Sequence, residues 1–269
     1  MLHTRRTFSF EHPPEEAEFA LFGIPWDASE TGTSVKHGPL FIREALKNIP
    51  GYDPQTKTNP FERKWTDLGD IEPVVNNWKL TKQAITETIN ELLTTNPNII
   101  PITMGGDHLI TLGILEVLKQ HKKFTVVHFD AHADLSTDWM GEPYAHITWA
   151  SHILKDLKLV QFGVRSMTQE EAVLIEQQKI PQNNLEAITG PIYVTVDLDV
   201  LDPGFAPDVG TPEPNGMDPK TFFSLLDSLF AKHPLVGLDI VECAATRINT
   251  PTAVIAAQVI KKAAVYSKV

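Results

Sequence analysis

Cysteine occurs once in the chain, at Cys243. A single thiol excludes an intrachain disulfide and any zinc site built on several thiolates, and it accords with a reducing compartment. Positive charge is also short: 23 Lys and Arg stand against 34 Asp and Glu, a formal net charge of -11. That balance argues against nucleic acid or an anionic membrane as partner. It suits a small cationic substrate, which a cleft of negative potential draws inward. No apolar run is long enough to cross a bilayer, and the stretch from Met1 to Glu16 is polar, without the apolar core of a signal segment. A cytoplasmic protein is expected. Repeats, low-complexity tracts and compositional shifts that would mark a linker are missing as well, so residues 1–269 are expected to form one domain.

What the chain does contain is a succession of short apolar, β-branched runs separated by amphipathic stretches. Expected strands are Glu18 to Ile24, Asn98 to Thr103, Phe124 to Phe129, Leu159 to Gly163, Ile192 to Val196 and Leu235 to Ile240. Between them, Phe41 to Lys47, Thr81 to Thr94, Leu109 to Gln120, Gln169 to Gln178, Pro219 to Ala231 and Thr252 to Ala264 carry apolar residues at three-to-four spacing and predict helices. Apolar strands alternating with helices imply an α/β fold in which helices cover both faces of a mostly parallel sheet, a three-layer αβα sandwich.

The chemistry is concentrated where strands end. Asp130, His132 and Asp134 alternate after the run ending at Phe129, and Asp197 and Asp199 alternate after Val196. Residues two apart in extended chain point the same way, so each segment presents a row of ligands. His108 follows the expected strand ending at Thr103 through Met104-Gly105-Gly106-Asp107, and Glu242 follows Ile240. All lie at carboxyl ends of expected strands, where open α/β sheets place their ligands. Carboxylates packed this closely raise one another's pKa unless a cation keeps them ionised. His108, Asp130, His132, Asp134, Asp197 and Asp199 exceed the needs of one tetrahedral zinc, and the oxygen-rich set favours two harder ions such as manganese. Two ions roughly 3.5 to 4 Å apart activate water for hydrolysis.

Gly105-Gly106-Asp107-His108, Phe129-Asp130-Ala131-His132-Ala133-Asp134 and Asp197-Leu198-Asp199-Val200-Leu201-Asp202-Pro203 resemble the three signature motifs of the ureohydrolases, the arginase and agmatinase family. The resemblance runs from Phe22-Gly23-Ile24-Pro25 to Glu242. It implies an arginase-like fold, two Mn2+ ions held by the six residues above, hydrolysis of a guanidino group to urea, and assembly as a homotrimer or hexamer. It further implies that His146 is the catalytic histidine, which passes a proton to the departing amine. Glu242 matches the glutamate that grips the planar guanidinium in a fork of hydrogen bonds.

The resemblance also bears on the substrate. The amino-acid clamp of arginases has no counterpart in the loop Ser136 to Ala145 or at Thr168, which stands where arginases carry an aspartate. The loop is more similar to that of prokaryotic agmatinases, which implies agmatine as substrate. Cys243-Ala244-Ala245 and Arg247 to Pro251 depart from the family pattern, leaving arginine or guanidinobutyrate as alternatives; a zinc deacetylase-like enzyme and a non-catalytic relative are the readings from other classes. Asp107 and Asp202 are expected to be hydrogen-bond acceptors or turn formers, His128 a packed core residue, and Arg165 either a subunit contact or a partner in a surface salt bridge.

Overall fold

The computed structural model describes residues 12–28 and 32–266. The N-terminal stretch Met1 to Glu11, read above as polar, lies outside the described residues. Seven strands form one parallel sheet, β1 (Phe19–Ile24), β2 (Trp65–Asp70), β3 (Ile100–Gly105), β4 (Thr125–Phe129), β5 (Lys158–Phe162), β6 (Ile192–Asp197) and β7 (Leu235–Val241), in the order β2-β1-β3-β7-β6-β4-β5. The inner strands are buried along their whole length and mostly apolar because helices cover both faces, leaving no solvated side on which alternation would show.

One face carries α1 (Gly38–Asn48), α6 (Pro219–Lys232) and α7 (Pro251–Tyr266), whose Ile42, Leu46, Phe222, Leu226 and Ile260 pack on Leu21, Ile102, Val127 and Val194. The other carries α2 (Trp78–Thr95), α3 (Ile110–His121) and the short α4 (Trp149–Ile153), where Ile85, Ile89, Leu115 and Trp149 meet Phe22, Val126 and Tyr193. The remaining helix, α5 (Gln169–Gln178), packs Leu174 and Ile175 against this second face. Pro39 and Pro219 open their helices at positions where a backbone N–H has no helical acceptor, and Asp218 caps α6 by accepting from Lys220 and Thr221. Together the layers make the expected αβα sandwich.

Strand β2 is the one the sequence did not announce. Its segment Trp-Thr-Asp-Leu-Gly-Asp pairs only with β1 and turns exposed towards its end, so edge position replaces the apolar signal that a buried strand needs. Helix α4 spans five residues, too few for a readable period. No described helix is long and apolar enough to cross a membrane.

Candidate metal centre

The sheet delivers the expected ligands to one place. At the end of β3 the chain must pass close against the end of β1: a Cβ on Gly106 would stand 2.0 Å from the carbonyl oxygen of Trp26. Glycine permits that approach, and the next two residues, Asp107 and His108, are turned into the interior. Asp107 accepts from the backbone N–H groups of Leu109 (2.7 Å) and Ala28 (3.3 Å), so it is a turn former tying two loops together. Asp202 does the same at the surface, accepting from Gly204 and Gly216.

His108 Nδ1 faces three carboxylates at once: Asp130 Oδ2 at 3.1 Å, Asp134 Oδ2 at 3.2 Å and Asp197 Oδ2 at 3.4 Å. None of the three contacts has hydrogen-bond geometry, and among the described residues this buried nitrogen has no hydrogen-bond partner. An unsatisfied buried nitrogen surrounded by anionic oxygens is what remains when every lone pair points at a common centre instead of at a neighbour. The other ring nitrogen explains the tautomer. Thr195 Oγ1 donates to Asp239 Oδ1, an oxygen that can only accept, and therefore receives the proton of His108 Nε2 at 2.9 Å. In the neutral ring Nδ1 is then bare and aimed at the carboxylates; burial opposes protonation of the ring, but Asp130, Asp134 and Asp197 raise His108 well above its ordinary range.

A second centre adjoins the first. His132 Nδ1 lies 2.9 Å from Asp199 Oδ2 and 3.5 Å from Asp130 Oδ1. Among the described residues, the groups able to hold an ion are therefore His108, His128, Asp130 and Asp134 on one side and Asp130, His132 and Asp199 on the other. Asp130 belongs to both, turning Oδ2 to the first and Oδ1 to the second. Asp197 stands against the first group through His108 and accepts from the Asp199 N–H at 2.8 Å. The donor set, imidazole nitrogens and carboxylate oxygens without sulfur, fits two hard or borderline divalent ions.

The electrostatics of the ion-free cluster agree. Burial, then the charges of Asp199 and Asp130, push the Asp197 carboxyl well above the ordinary range, and burial with Asp130 raises Asp199. Burial also works against the charged form of His132, yet hydrogen bonds and attraction from Asp130 and Asp199 lift it to about 12. Asp130 is the exception: burial acts to raise it, but His128, His108 and His132 together hold it well below the ordinary range. Without ions, protons take up the excess negative charge.

Glu242 sits beside this cluster in a left-handed backbone conformation, φ 62°, as does Asp134 at φ 54°. Non-glycine residues held there are strained, and both are residues to which the sequence assigned roles. The Glu242 carboxylate accepts from the His108 N–H at 3.0 Å, and burial followed by the charge of Asp107 raises it well above the ordinary range. His146 lies outside both ion-holding groups. Its ring is 6.0 Å from that of Trp139, and its charge acts to lower the Asp107 carboxyl against the stronger effect of burial.

A cavity of about 270 Å³ opens over His132 and Asp134 and is walled by Ser136, Ile147, Met167 and Thr168. Thr168 caps α5: its hydroxyl accepts from the Glu171 N–H while Glu171 accepts from the Thr168 N–H, a reciprocal pair. Lys36 and Arg247 do not line it.

One of the two readings of Arg165 needs correction. Among the described residues Arg165 makes no salt bridge; its guanidinium donates to the backbone carbonyls of Asp199 (2.7 Å), Glu213 (2.8 Å), Pro214 (3.0 Å), Gly163 (3.2 Å) and Val200 (3.3 Å). It fastens the segment bearing Asp199 to the end of β5. His128 is a packed core residue, as expected, and its Nε2 lies 2.7 Å from Asp130 Oδ2. The alternation His128, Asp130 was the available signal, because both must face the same side of β4.

Residues 17–265 match the Arginase family profile. The chain is 34% identical to N(1)-aminopropylagmatine ureohydrolase of Thermococcus kodakarensis, over 96% of this chain and 95% of that one. It is 32% identical to the agmatinase of Pyrococcus horikoshii, over 97% and 96% of the two chains. The crystal structure of agmatine ureohydrolase of Thermoplasma volcanium superposes with a TM-score of 0.84 at 27% identity, covering 99% of this chain and 94% of that one. With the profile spanning nearly the whole chain and a sheet whose strand ends gather the family's motifs, this protein belongs to the Arginase family.

Proposed function

We propose that the chain is a binuclear manganese ureohydrolase that cleaves a linear guanidino compound, agmatine first among them, to urea and an amine. The observation that carries this reading is the bare, buried Nδ1 of His108 among three carboxylates, beside a second His–Asp group joined to the first through Asp130. His108, Asp130, Asp134 and Asp197 would hold one ion, and His132 and Asp199, with Asp130 shared, the other. When bound, such ions lower the pKa of water and so supply a nucleophile at ordinary pH.

The protein's own groups do the rest. Glu242 is fixed by the His108 N–H through one carboxylate oxygen, Oε1, which leaves Oε2 to accept from a guanidinium. A carboxylate that burial and Asp107 hold high is one that a cationic ligand stabilises in its charged form. His146, on the loop after Asp134, delivers a proton to the amine nitrogen, which cannot leave as an anion. The cavity wall offers Ser136 and Thr168 hydroxyls beside apolar Ile147 and Met167, with no lysine or arginine to neutralise an α-carboxylate. Thr168 is already engaged in capping α5. This supports agmatine, in which hydrogen replaces the carboxylate of arginine. In keeping with the sequence resemblance, we take the enzyme to act in the cytoplasm as a trimer or hexamer.

A screen of agmatine, N1-aminopropylagmatine, guanidinobutyrate and arginine with Mn2+-loaded protein, reading urea, tests the proposal. Urea from agmatine is expected. No urea from any guanidino compound would overturn the reaction, and preference for guanidinobutyrate would overturn the substrate.

A further inference from the structure

By distance alone His128 could be a metal ligand, because it shares a cluster with His108, Asp130 and Asp134. Its neighbours decide otherwise. Gln161 Nε2 lies 2.8 Å from the carbonyl oxygen of Ala133, a group that can only accept, so that atom is the amide's NH2. The same Nε2 lies 3.0 Å from His128 Nδ1, which must then be the bare nitrogen, while the Gln161 oxygen receives a hydrogen bond from Gln182 at 2.9 Å. The proton of the neutral ring is on Nε2, pointing at Asp130 Oδ2 at 2.7 Å. A nitrogen that donates has no lone pair for an ion.

Strand register makes this arrangement rigid. His128 on β4 is level with Gln161 on β5 and Thr195 on β6, and Thr195 is level with Asp239 on β7. All four are fully buried. They form a polar row across four strands, one inward-facing step below Asp130 and Asp197. Trp149 closes the row from the helix side, its ring 4.9 Å from that of His128 and its N–H donating to Asp134 Oδ2 at 2.8 Å.

We propose that His128 is a positioning residue: through the chain Gln182, Gln161, His128 it donates to the outer side of Asp130 Oδ2 and fixes the carboxylate shared by both ions, without ligating either. The other oxygen, Oδ1, is fixed by the His132 N–H at 2.6 Å, so Asp130 is oriented from both ends. This inference rests on the metal-centre reading and adds to it that one of the four groups close enough to ligate does not.

The test is Mn2+ titration of the metal-stripped full chain by calorimetry, with 15N-histidine NMR of the wild type alongside. Loss of such an outer partner typically costs about 10- to 100-fold in metal affinity. His128→Phe is therefore expected to weaken Mn2+ by about that factor while still binding two ions, and His128→Gln, which places an amide N–H near the old Nε2, to recover part of the loss. Saturation with diamagnetic Zn2+ should leave the Nε2–H signal of His128 in place. Disappearance of that signal on adding Zn2+ would make His128 a ligand and overturn the proposal, as would undiminished Mn2+ affinity in a folded His128→Phe. If His128→Phe does not fold, the wild-type signal still decides. Wild type that binds no divalent ion would sink the metal reading itself, and is told apart because it needs no variant.

Discussion

The floor of the site and the loop over it are built by opposite rules. Beneath the ligands, Gln161, His128, Thr195 and Asp239 are locked by strand register, fully buried, and hydrogen-bonded in two pairs, Gln161 to His128 and Thr195 to Asp239. Above them the loop from Ser136 to Ala145 turns back at Met140 and Gly141, both at positive φ, with Trp139 and Glu142 exchanging backbone hydrogen bonds. Its tip faces solvent: Trp139 is 41% exposed and Met140 86%. Ion-holding groups must be placed within tenths of an ångström, which only packed strands achieve, whereas substrate choice can be altered on a loop without disturbing the chemistry.

This contrast can be broken most severely at the floor's upper edge. Asp130→Asn removes the charge shared by both groups, and hydrolysis of agmatine is expected to fall by more than about a thousandfold, equivalent to roughly 4 kcal/mol of barrier. Elemental analysis should show fewer than two ions per chain. Full occupancy with full activity would contradict the shared-carboxylate arrangement.

The cavity side should show selectivity in place of chemistry. Arginine would bring an α-carboxylate to a wall without lysine or arginine. Agmatine is expected to exceed arginine in kcat/KM by at least about a hundredfold, since an unpaired charge costs several kcal/mol and each 1.4 kcal/mol is about tenfold. Equal turnover of the two compounds would reject this account of the wall.

Metal removal should destabilise the floor in a pH-dependent way. Without metal, burial and neighbouring carboxylates raise Asp197 and Asp199, and burial with Asp107 raises Glu242. Above the ordinary carboxylate range the unfolded chain has released these protons and the fold has not, so stability falls as pH rises. His132, lifted to about 12, acts in the same direction above its ordinary range. Asp130, held low, opposes only in acid, where the stability it contributes is lost as pH falls. The gain in Tm on adding Mn2+ should therefore grow by several degrees from about pH 6 to about pH 8. A gain that shrinks with pH in thermal melts would contradict that sign.

The smallest effect belongs to the loop tip. Met140→Ser, at a side chain open to solvent, should change unfolding free energy by less than about 0.5 kcal/mol in denaturant titration. A larger loss would show that the tip is covered in the working assembly.

Much of the fold and site was legible because the signals were local. Buried strands advertise themselves as apolar runs, and carboxylates two apart after such a run have little structural use without a cation. That placed six of seven strands and brought His108, Asp130, His132, Asp134, Asp197 and Asp199 to neighbouring strand ends. Strand β2 escaped because an edge strand need not be apolar, and the partners of Arg165 within the chain escaped because backbone carbonyls leave no trace in a sequence.

By itself, then, the sequence determined the layered α/β architecture, the clustering of ligand residues at strand ends and the family motifs. Tertiary structure alone decided which nitrogen of His108 is bare, that His128 donates to Asp130, and that Thr168 is spent on capping a helix. The physical reason is that residue type states what a side chain can donate or accept, while the proton's position depends on partners brought together by strand pairing from 33 to 87 residues away, as Gln161 is for His128 and Thr195 for His108.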